Sequence, residues 1–345
     1  MFLKNCWYVA AWESEVAKDV PFARTVCGEP VVMFRDEAGR AHALEDRCCH
    51  RNLPLSMGKV EGSSLRCGYH GLMFDAAGAC VEVPGQSQVP PGAAVRAYPL
   101  IEKWGLLWIW PGDPAKADEA KLPRWHYLAD PKLAVARGND AKPLPMKCHW
   151  ELNNDNLLDL SHIVYVHPTT LGAHGIDRTP IKTERAEDKV RMWRFVPDVA
   201  PIKLWASYMN MGDIKVDRWM STECELPAHC TVYVGFAPAG VHKPEGPYHS
   251  GAQLYALITA TPETETSSFM FYAQCRNFGV EDAEMTAKFV RDVKVVFGED
   301  VIVMEAQQRN GAADPEVRRM DINADAPAIA MRDIVRRYQS MESNR

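Results

Sequence analysis

Four residues that commonly bind metals lie close together in the first quarter of the chain. One residue separates Cys48 from His50, and sixteen residues further on two residues separate Cys67 from His70. Thiolate and imidazole ligands in this number hold either a tetrahedral zinc ion or an iron–sulfur cluster. A Rieske [2Fe–2S] centre takes two cysteines on one iron and two histidines on the other. Each arm here supplies one of each, and the short first arm is unusual for a zinc finger, so the spacing favours the cluster.

A second pair of histidines, His162 and His167, precedes Pro168. Residues five apart lie about 140° apart around an ideal helix, so a shared metal requires the helix to bend or end between them. The helical zinc-protease motif H-E-x-x-H is absent from this segment. Two histidines and one carboxylate would form the facial triad of non-haem Fe(II) oxygenases, but the sequence alone does not identify the carboxylate.

The elements that must position these residues fall into two regions. Residues 1–113 contain short β-branched and aromatic runs separated by turn residues, which is typical of a small antiparallel β domain. The Pro-Gly-Asp-Pro run at 111–114 ends this region, and a polar connection follows to about residue 146. Beyond it the patterns predict a helix over 147–167, strand-like regions at 180–196, 214–238 and 252–275, and helices over 282–309 and 326–340.

Composition excludes several classes of function. The 345 residues carry a net charge of −6 without a basic stripe, which argues against a nucleic-acid partner. We expect no membrane partner and a cytoplasmic location, because the chain has no long apolar run and no signal-peptide core near its N-terminus. Ten cysteines in such a chain indicate metal binding, redox chemistry or ordinary burial rather than a disulfide framework.

The first set of ligands resembles the Rieske domain of ring-hydroxylating and demethylating oxygenases. The family usually has proline between the cysteine and the histidine of the first arm, where this chain has Cys49. Spacing selects Cys48 as the ligand, and Cys49 leaves open which sulfur binds. The similarity extends to Arg51, Pro54, Leu55, Gly58 and the run Tyr69-His70-Gly71.

Residues 5–10, 108–113 and 156–167 resemble the group of vanillate O-demethylase, toluenesulfonate methyl-monooxygenase and dicamba demethylase. The resemblance implies an α+β protein with an N-terminal antiparallel β Rieske domain at residues 1–113 and a connection at 114–146. A helix-grip catalytic domain, formed by a curved antiparallel sheet and helices, would then occupy residues 147–345.

The resemblance also implies the ligands of a mononuclear iron. His162 and His167 match the two histidines of the group's motif D-x-x-H-x4-H. A third ligand comes from an acidic residue in a late helix, after a motif similar to Arg276-Asn277-Phe278. Asp300 is the best match for this ligand, and Glu299 is the alternative.

Two further residues acquire roles from the same resemblance. Asp159 is the acidic residue of the motif, and its carboxylate would accept the N–H of His162, one helical turn away. In the family this residue also links to a Rieske histidine of a neighbouring subunit and gives the route for electrons. Asn156 lies one turn earlier and is expected to face the same region.

The implied function is that of a terminal oxygenase component with a Rieske [2Fe–2S] cluster and a mononuclear Fe(II). It would use O2 and electrons from NAD(P)H to demethylate a methoxy-aromatic acid resembling vanillate, or to hydroxylate an aryl methyl group. The chain has no G-x-G-x-x-G motif after a strand. We therefore expect a separate reductase that carries flavin and a ferredoxin-type cluster, or a separate ferredoxin. The resemblance also implies a homotrimer, which is typical of the group. Two alternatives stay open: a Rieske electron carrier without oxygenase chemistry, and a structural zinc protein.

Overall fold

The computed structural model describes residues 2–343, apart from residues 173–178, 203, 205, 207, 209–213, 245, 247, 249, 315 and 317–319. The chain forms two compact units, Met1–Leu122 with Thr261–Glu265 and Pro123–Ala260 with Thr266–Arg345. Among the described residues, no helix combines the length and apolarity needed to cross a membrane.

The first unit is built from short strands. Their bounds are β1 Tyr8–Trp12, β2 Phe22–Val26, β3 Glu29–Arg35, β4 Ala41–Glu45, β5 Lys59–Glu61, β6 Ser64–Arg66, β7 Met73–Phe74, β8 Cys80–Glu82, β9 Ala97–Tyr98, β10 Leu100–Lys103 and β11 Leu106–Ile109. They pair as three sheets in the orders β1-β11-β10, β2-β3-β4-β9 and β5-β6-β7-β8. The paired strands of these sheets are antiparallel, which confirms the expected β domain.

Turn chemistry explains one of these hairpins directly. Cys27 and Gly28 connect β2 to β3, and both have positive φ, 52° and 76°. A two-residue loop with both φ values positive is a type I′ turn, whose twist matches that of the flanking strands. Val26 and Glu29 therefore pair directly across the turn.

The two cysteines of the Rieske motif belong to the core of this unit. Cys48 and Cys67 lie in one buried cluster with Leu55, Leu65 and Phe74. Because a packed core fixes side-chain positions, the two ligand loops are held by the same apolar contacts that stabilise the sheets.

The second unit combines one large sheet with helices. Its strands are β12 Ala134–Arg137, β13 Leu144–Met146, β14 Lys182–Arg185, β15 Lys189–Val199, β16 Val216–Glu225, β17 His229–Pro238, β18 Ala252–Thr264 and β19 Ser267–Arg276. Its helices, among the described residues, are α1 Glu151–Leu157, α2 Ile163–Val166, α3 Ala283–Ala313 and α4 Ala326–Ser343. The sheet order is β12-β19-β18-β17-β16-β15-β14, and β13 also pairs with β19. The mixed sheet-and-helix architecture confirms the predicted α+β class.

The register of the central strands places one row of side chains on each face. Met220 of β16 pairs with Val234 of β17, and Val234 pairs with Leu254 of β18. Side chains alternate between faces along a strand, so the residues two positions away share this face. All three side chains line the same cavity, which lies between the sheet and the helices of this unit.

The prediction of one continuous helix over residues 147–167 is wrong, because the segment forms two helices with a break between them. α1 ends at Leu157, and α2 is a single turn that follows His162 and precedes His167. Between them, Asp159 accepts a hydrogen bond from the backbone N–H of Ser161 at 2.7 Å. An aspartate bonded to the backbone two residues later competes with the helical hydrogen bonds, which accounts for the break.

Each of the three predicted strand-like regions contains two strands. Short connections at residues 186–188, 226–228 and 265–266 divide them into the pairs β14–β15, β16–β17 and β18–β19. The apolar pattern continues on both sides of these short turns, so the sequence pattern did not separate the strands.

The cysteines also depart from expectation at one place. Cys224 and Cys230 stand directly opposite each other in β16 and β17 and form a disulfide. The cysteine count instead indicated metal binding, redox chemistry or burial. The pairing of Cys224 with Cys230 depends on strand register, which spacing in the sequence does not reveal.

Candidate metal centres

The predicted Rieske ligands lie on two neighbouring loops of the first unit. Cys48 and Cys67 are buried, with 2% and 3% of their surfaces exposed, and neither forms a disulfide. His50 and His70 are exposed, and the centroids of their rings lie 4.5 Å apart. The arrangement, with cysteines inward and histidines outward, suits a cluster held between two loop tips. Cys49 is exposed, in contrast to the buried pair Cys48 and Cys67.

Each loop folds back onto its own cysteine. The backbone N–H of Cys48 donates to the carbonyl of Leu53 at 2.9 Å, and the N–H of Cys67 donates to the carbonyl of Leu72 at 2.8 Å. The N–H of Gly71, which has φ of 76°, closes the second loop by donating to the carbonyl of Cys67 at 3.2 Å. A positive φ favours glycine at this position.

Two glycines allow the loop backbones to approach closely. A Cβ atom on Gly58 would lie 2.0 Å from the carbonyl oxygen of Arg66, and one on Gly68 would lie 2.6 Å from that of Met57. Both distances are far below van der Waals contact, so only glycine fits. Backbone N–H groups packed beside two buried thiols can bond to the sulfurs of an iron–sulfur cluster and tune its potential. The residues present therefore fit the cluster.

A charged network fixes the second loop to the sheet beneath it. Arg66 donates to the carbonyl of Gly71 at 2.8 Å and forms ion pairs with Glu61 at 2.6 Å and with Glu82 at 3.0 Å. Hydrogen bonds from Lys59 and Arg66 lower the pKa of Glu61, and hydrogen bonds from Arg66 lower that of Glu82. Deprotonated carboxylates thus hold the arginine against the loop that carries Cys67 and His70.

The second centre forms where α2 faces α3. Nε2 of His167 lies 3.0 Å from Oδ1 of Asp300, and Nε2 of His162 lies 3.5 Å from the same oxygen. One ligand atom from each of the three residues lies within 4.8 Å of the other two. In the part of the chain that the structure describes, no other group of three or more possible ligands lies this close together. Two imidazoles and one carboxylate are the donor set that non-haem Fe(II) takes, so the residues fit this metal.

The end of α2 at His167 makes this convergence possible. His162 and His167 flank the single turn of α2, and their ring centroids lie 5.3 Å apart. His167 leaves the helix with φ of −115° and ψ of 47°. The helix therefore ends at the second histidine, which brings both rings to one side. On a continuous ideal helix, the two rings would lie about 140° apart.

Asp300 and His167 are deeply buried, with exposed fractions of 3% and 1%. Burial alone would lower the pKa of His167, but the hydrogen bonds and charges of Asp300 and Glu299 raise it above its ordinary value. A buried site with this much negative charge favours a bound cation.

Neighbouring polar groups orient the three candidate ligands. Oε2 of Glu299 lies 2.7 Å from Nδ1 of His167, and it also accepts from the hydroxyl of Thr170 at 3.1 Å. Nδ2 of Asn156 donates to Oδ1 of Asp300 at 3.1 Å. A proton on Nδ1 of His167 leaves the Nε2 lone pair for a metal, and contacts of this kind fix ring orientation in metal sites. Glu299, the alternative ligand predicted from the sequence, therefore contacts Nδ1 of His167 and is not one of the three groups that converge.

Asp159 makes a different contact from the one expected. Its carboxylate accepts from the N–H and the hydroxyl of Ser161, and its backbone carbonyl is the hydrogen-bond partner of Nδ1 of His162. The expectation that the carboxylate binds His162 is therefore wrong. The same chain segment still orients the ring, because a carbonyl at Nδ1 directs Nε2 towards the other two ligands.

Arg276 positions the start of the helix that carries Asp300. Its guanidinium donates to the carbonyls of Phe278 and Gly279, both at 2.8 Å, and to the hydroxyl of Thr286. Asp282 caps α3 by accepting from the N–H of Met285. The motif found in the sequence is thus a support for α3 and not itself a ligand.

A cavity with about 780 Å³ of empty space, open solvent included, adjoins the three candidate ligands. Its walls are mostly aliphatic and aromatic, with Leu157, Leu254, Val293 and Phe297 among them. A largely apolar cleft with a few polar groups suits a small organic ligand.

Two buried polar side chains also line the cavity and were missed by the sequence analysis. They are Arg218 of β16 and Gln274 of β19, with exposed fractions of 2% and 4%. Their positions could have been recognised from the alternation of side chains along a strand. Each lies in a long strand, two positions from an apolar residue that faces inward.

Comparisons with known proteins agree with these two centres. The Rieske [2Fe–2S] domain family matches residues 6–99, and the vanillate O-demethylase oxygenase C-terminal domain family matches residues 146–340. The iron–sulfur subunit of the toluene-4-sulfonate monooxygenase system of Comamonas testosteroni is 37% identical over 334 residues, with 94% of each chain covered. The vanillate O-demethylase oxygenase subunit of Pseudomonas sp. strain HR199 is 34% identical, with 99% of this chain and 96% of that one covered.

Solved structures show the same fold. Dicamba monooxygenase bound to 3,6-dichlorosalicylic acid superimposes with a TM-score of 0.92 at 30% sequence identity, over 100% of this chain and 99% of that chain. A structure of dicamba monooxygenase with non-haem iron and dicamba superimposes with a TM-score of 0.82 at 28% identity, over 99% of both chains.

Proposed function

Because the chain belongs to the family of Rieske non-haem iron oxygenases that share the vanillate O-demethylase oxygenase C-terminal domain, we propose that it is a terminal oxygenase component that monooxygenates a small aromatic compound. The observation that carries this proposal is the apolar cavity, since His162, His167 and Asp300 form part of its wall. A substrate in that cavity would contact the candidate iron ligands directly.

The site residues form two centres with different roles. Cys48, His50, Cys67 and His70 would hold the Rieske cluster, and His162, His167 and Asp300 would hold Fe(II). When bound, the cluster would supply electrons one at a time, and the iron would supply the capacity to activate O2. The apolar walls exclude water and place a C–H bond of the substrate beside the three iron ligands.

The overall reaction consumes O2, NAD(P)H, one proton and a substrate C–H bond, and it yields a C–OH group, water and NAD(P)+. A methoxy substrate would give a hemiacetal, which collapses to a phenol and formaldehyde. An aryl methyl substrate would give a benzylic alcohol. Asn156 keeps Oδ1 of Asp300 in place at 3.1 Å while the substrate binds.

The electrons come from a separate reductase or ferredoxin, as in the multicomponent systems of the relatives. We further propose that this partner carries flavin and a ferredoxin-type cluster, that the oxygenase is a cytoplasmic homotrimer, and that Asp159 links each mononuclear site to a Rieske histidine of a neighbouring subunit. The position of Asp159 supports this last role, because its backbone carbonyl is the hydrogen-bond partner of Nδ1 of His162.

Product analysis with a surrogate reductase tests the function. The holoenzyme, NADH and a surrogate reductase are incubated with a panel of methoxybenzoates, methylbenzoates and toluenesulfonates, and O2 uptake, formaldehyde and benzylic alcohols are measured. At least one panel member should give product in proportion to the O2 consumed. An Asp300→Ala variant should keep the visible spectrum of the cluster and form no product, whereas Glu284→Gln, an exposed residue of the same helix, should behave as wild type. Failure of every panel member to stimulate O2 uptake would contradict the proposal.

A further inference from the structure

A buried arginine lies in the wall of the candidate active-site cavity. Arg218 of β16 is 2% exposed, and among the described residues its buried Nε and Nη1 atoms have no hydrogen-bond partner. In the part of the chain that the structure describes, no carboxylate forms an ion pair with it. A buried cation without an anion is unfavourable, so an arginine at this position calls for a ligand that supplies the negative charge.

The surroundings strengthen this expectation. Arg194 of β15 is also 2% exposed, and it pairs with Met220, two positions from Arg218 on the same face of the sheet. Burial, followed by the charge of Arg194, lowers the pKa of Arg218 to about 9. The guanidinium therefore stays protonated at neutral pH, and this wall of the cavity is positively charged.

The position of Arg218 defines which end of a ligand it would meet. Arg218 pairs with Phe236 of β17, six residues from Cys230, whose sulfur lies 4.0 Å from Oδ1 of Asn154 in α1. Six residues of strand span about 20 Å. Arg218 is therefore at the end of the sheet remote from α1, the helix that leads into the two iron histidines.

The course of α3 leads to the same conclusion. The row of Arg218 and Phe236 continues to Ala252. The next residue, Gln253, donates its backbone N–H to Oδ1 of Asn277, six residues before α3 begins. Asp300 lies far along α3, and the cavity extends from Asp300 back to Phe289. These eleven residues of helix span about 16 Å. The cavity is thus long, with candidate iron ligands at one end and Arg218 towards the other.

We propose that Arg218 determines substrate specificity by binding the carboxylate or sulfonate of an aromatic monoanion, with the opposite end of the ring directed towards His162, His167 and Asp300. The free N–H groups of a guanidinium fork match the paired oxygens of either group. The apolar walls bury the ring between the two polar ends. This inference rests on the proposed function, which leaves the residue that recognises the substrate unassigned.

Equilibrium binding to the holoenzyme tests the inference without any turnover. Dissociation constants are measured for 4-methoxybenzoate against 4-methoxybenzamide and for 4-toluenesulfonate against 4-toluenesulfonamide, so that each anion has a neutral partner of similar shape. Wild type should prefer at least one anion to its neutral partner. Arg218→Gln should weaken binding of that anion about 30-fold or more, the loss typical of a desolvated charge pair, and should leave the neutral partner little affected.

Two further variants separate a role in binding from a role in folding. Arg218→Lys keeps the charge without the fork and should retain part of the preference for the anion. Arg191→Gln removes an exposed arginine of β15 that donates to Ser221 on the other face of the sheet, and it should bind like wild type. With turnover of the anion, Arg218→Gln should raise KM much more than it lowers kcat.

The outcomes are distinguishable from those that concern the function. Equal affinity of wild type for the anion and its neutral partner in both pairs would overturn the inference, even if Arg218→Gln failed to fold. An undiminished preference in a folded Arg218→Gln would do the same. Neither result affects the proposed oxygenase function, which depends on product formation in the panel assay.

Discussion

Replacing Glu299 by glutamine should weaken binding of the mononuclear iron while sparing the cluster. Oε2 of Glu299 is 2.7 Å from Nδ1 of His167, a ring that is 1% exposed, and Thr170 fixes the carboxylate by a hydrogen bond of 3.1 Å. Glutamine keeps the shape but removes the charge, and its amide N–H2 can face the ring N–H. Loss of such a supporting contact typically costs 10- to 100-fold in metal affinity, or about 1.4 to 2.8 kcal/mol.

The measurement is a competition between the protein and an Fe(II) chelator, with the visible absorbance of the Rieske centre recorded in parallel. Glu299→Gln should release iron at a chelator concentration about 10- to 100-fold lower than wild type, at unchanged absorbance. Glu284→Gln, in the exposed first turn of the same helix, is the matched control and should keep wild-type affinity. An affinity for Glu299→Gln within about twofold of wild type would refute the reasoning that this carboxylate orients His167.

Three other outcomes follow from the same structure. Cys48→Ser should abolish the cluster spectrum and Cys49→Ser should preserve it, because only Cys48 is buried beside Cys67; the reverse result would reassign the ligand. Asp159→Asn should retain both metals, as shown by iron and sulfide content, yet nearly abolish turnover with a reductase; full activity would contradict its role between subunits. Acidification should release the second ligand loop, because the pKa of Glu61 is lowered from its ordinary value of 4.5 by Lys59 and Arg66. The stabilisation from Glu61 is complete above pH 4.5 and is lost as the pH falls through the lower pKa of the folded state. The absorbance of the cluster should therefore bleach in that lower pH range. The Arg66→Gln variant should bleach at a higher pH than wild type.

Much of the site could be predicted because metal ligands leave short-range marks in a sequence. The spacing of Cys48, His50, Cys67 and His70 predicted two loops that each bring one thiol and one imidazole, and the structure places the thiols inward. The separation of His162 and His167 required the helix to bend or end if both rings share a metal, and α2 ends at Val166, directly before the second histidine.

Contacts between distant segments could not be predicted in this way. The hydrogen bond from Asn156 to Asp300 joins residues 144 positions apart, and that of Glu299 with His167 joins residues 132 positions apart. Both depend on how α3 packs against α1 and α2. The inward position of Arg218 likewise depends on the pairing of β16 with β17, since a shift of one residue would turn its side chain to the other face.

The break between α1 and α2 shows how a local interaction overrides a helical pattern. The apolar periodicity of residues 147–167 is compatible with one helix, and the hydrogen bond of Asp159 to the N–H of Ser161 interrupts it. The same interruption leaves the carbonyl of Asp159, rather than its carboxylate, beside Nδ1 of His162.

The most direct test of the two-centre account is the iron and acid-labile sulfide content of the purified chain. One Rieske cluster and one mononuclear iron predict about three irons and two sulfides per chain. About two irons and two sulfides would indicate a cluster without a second iron, as in an electron carrier. Stoichiometric zinc in a colourless protein without sulfide would contradict the assignment of both centres.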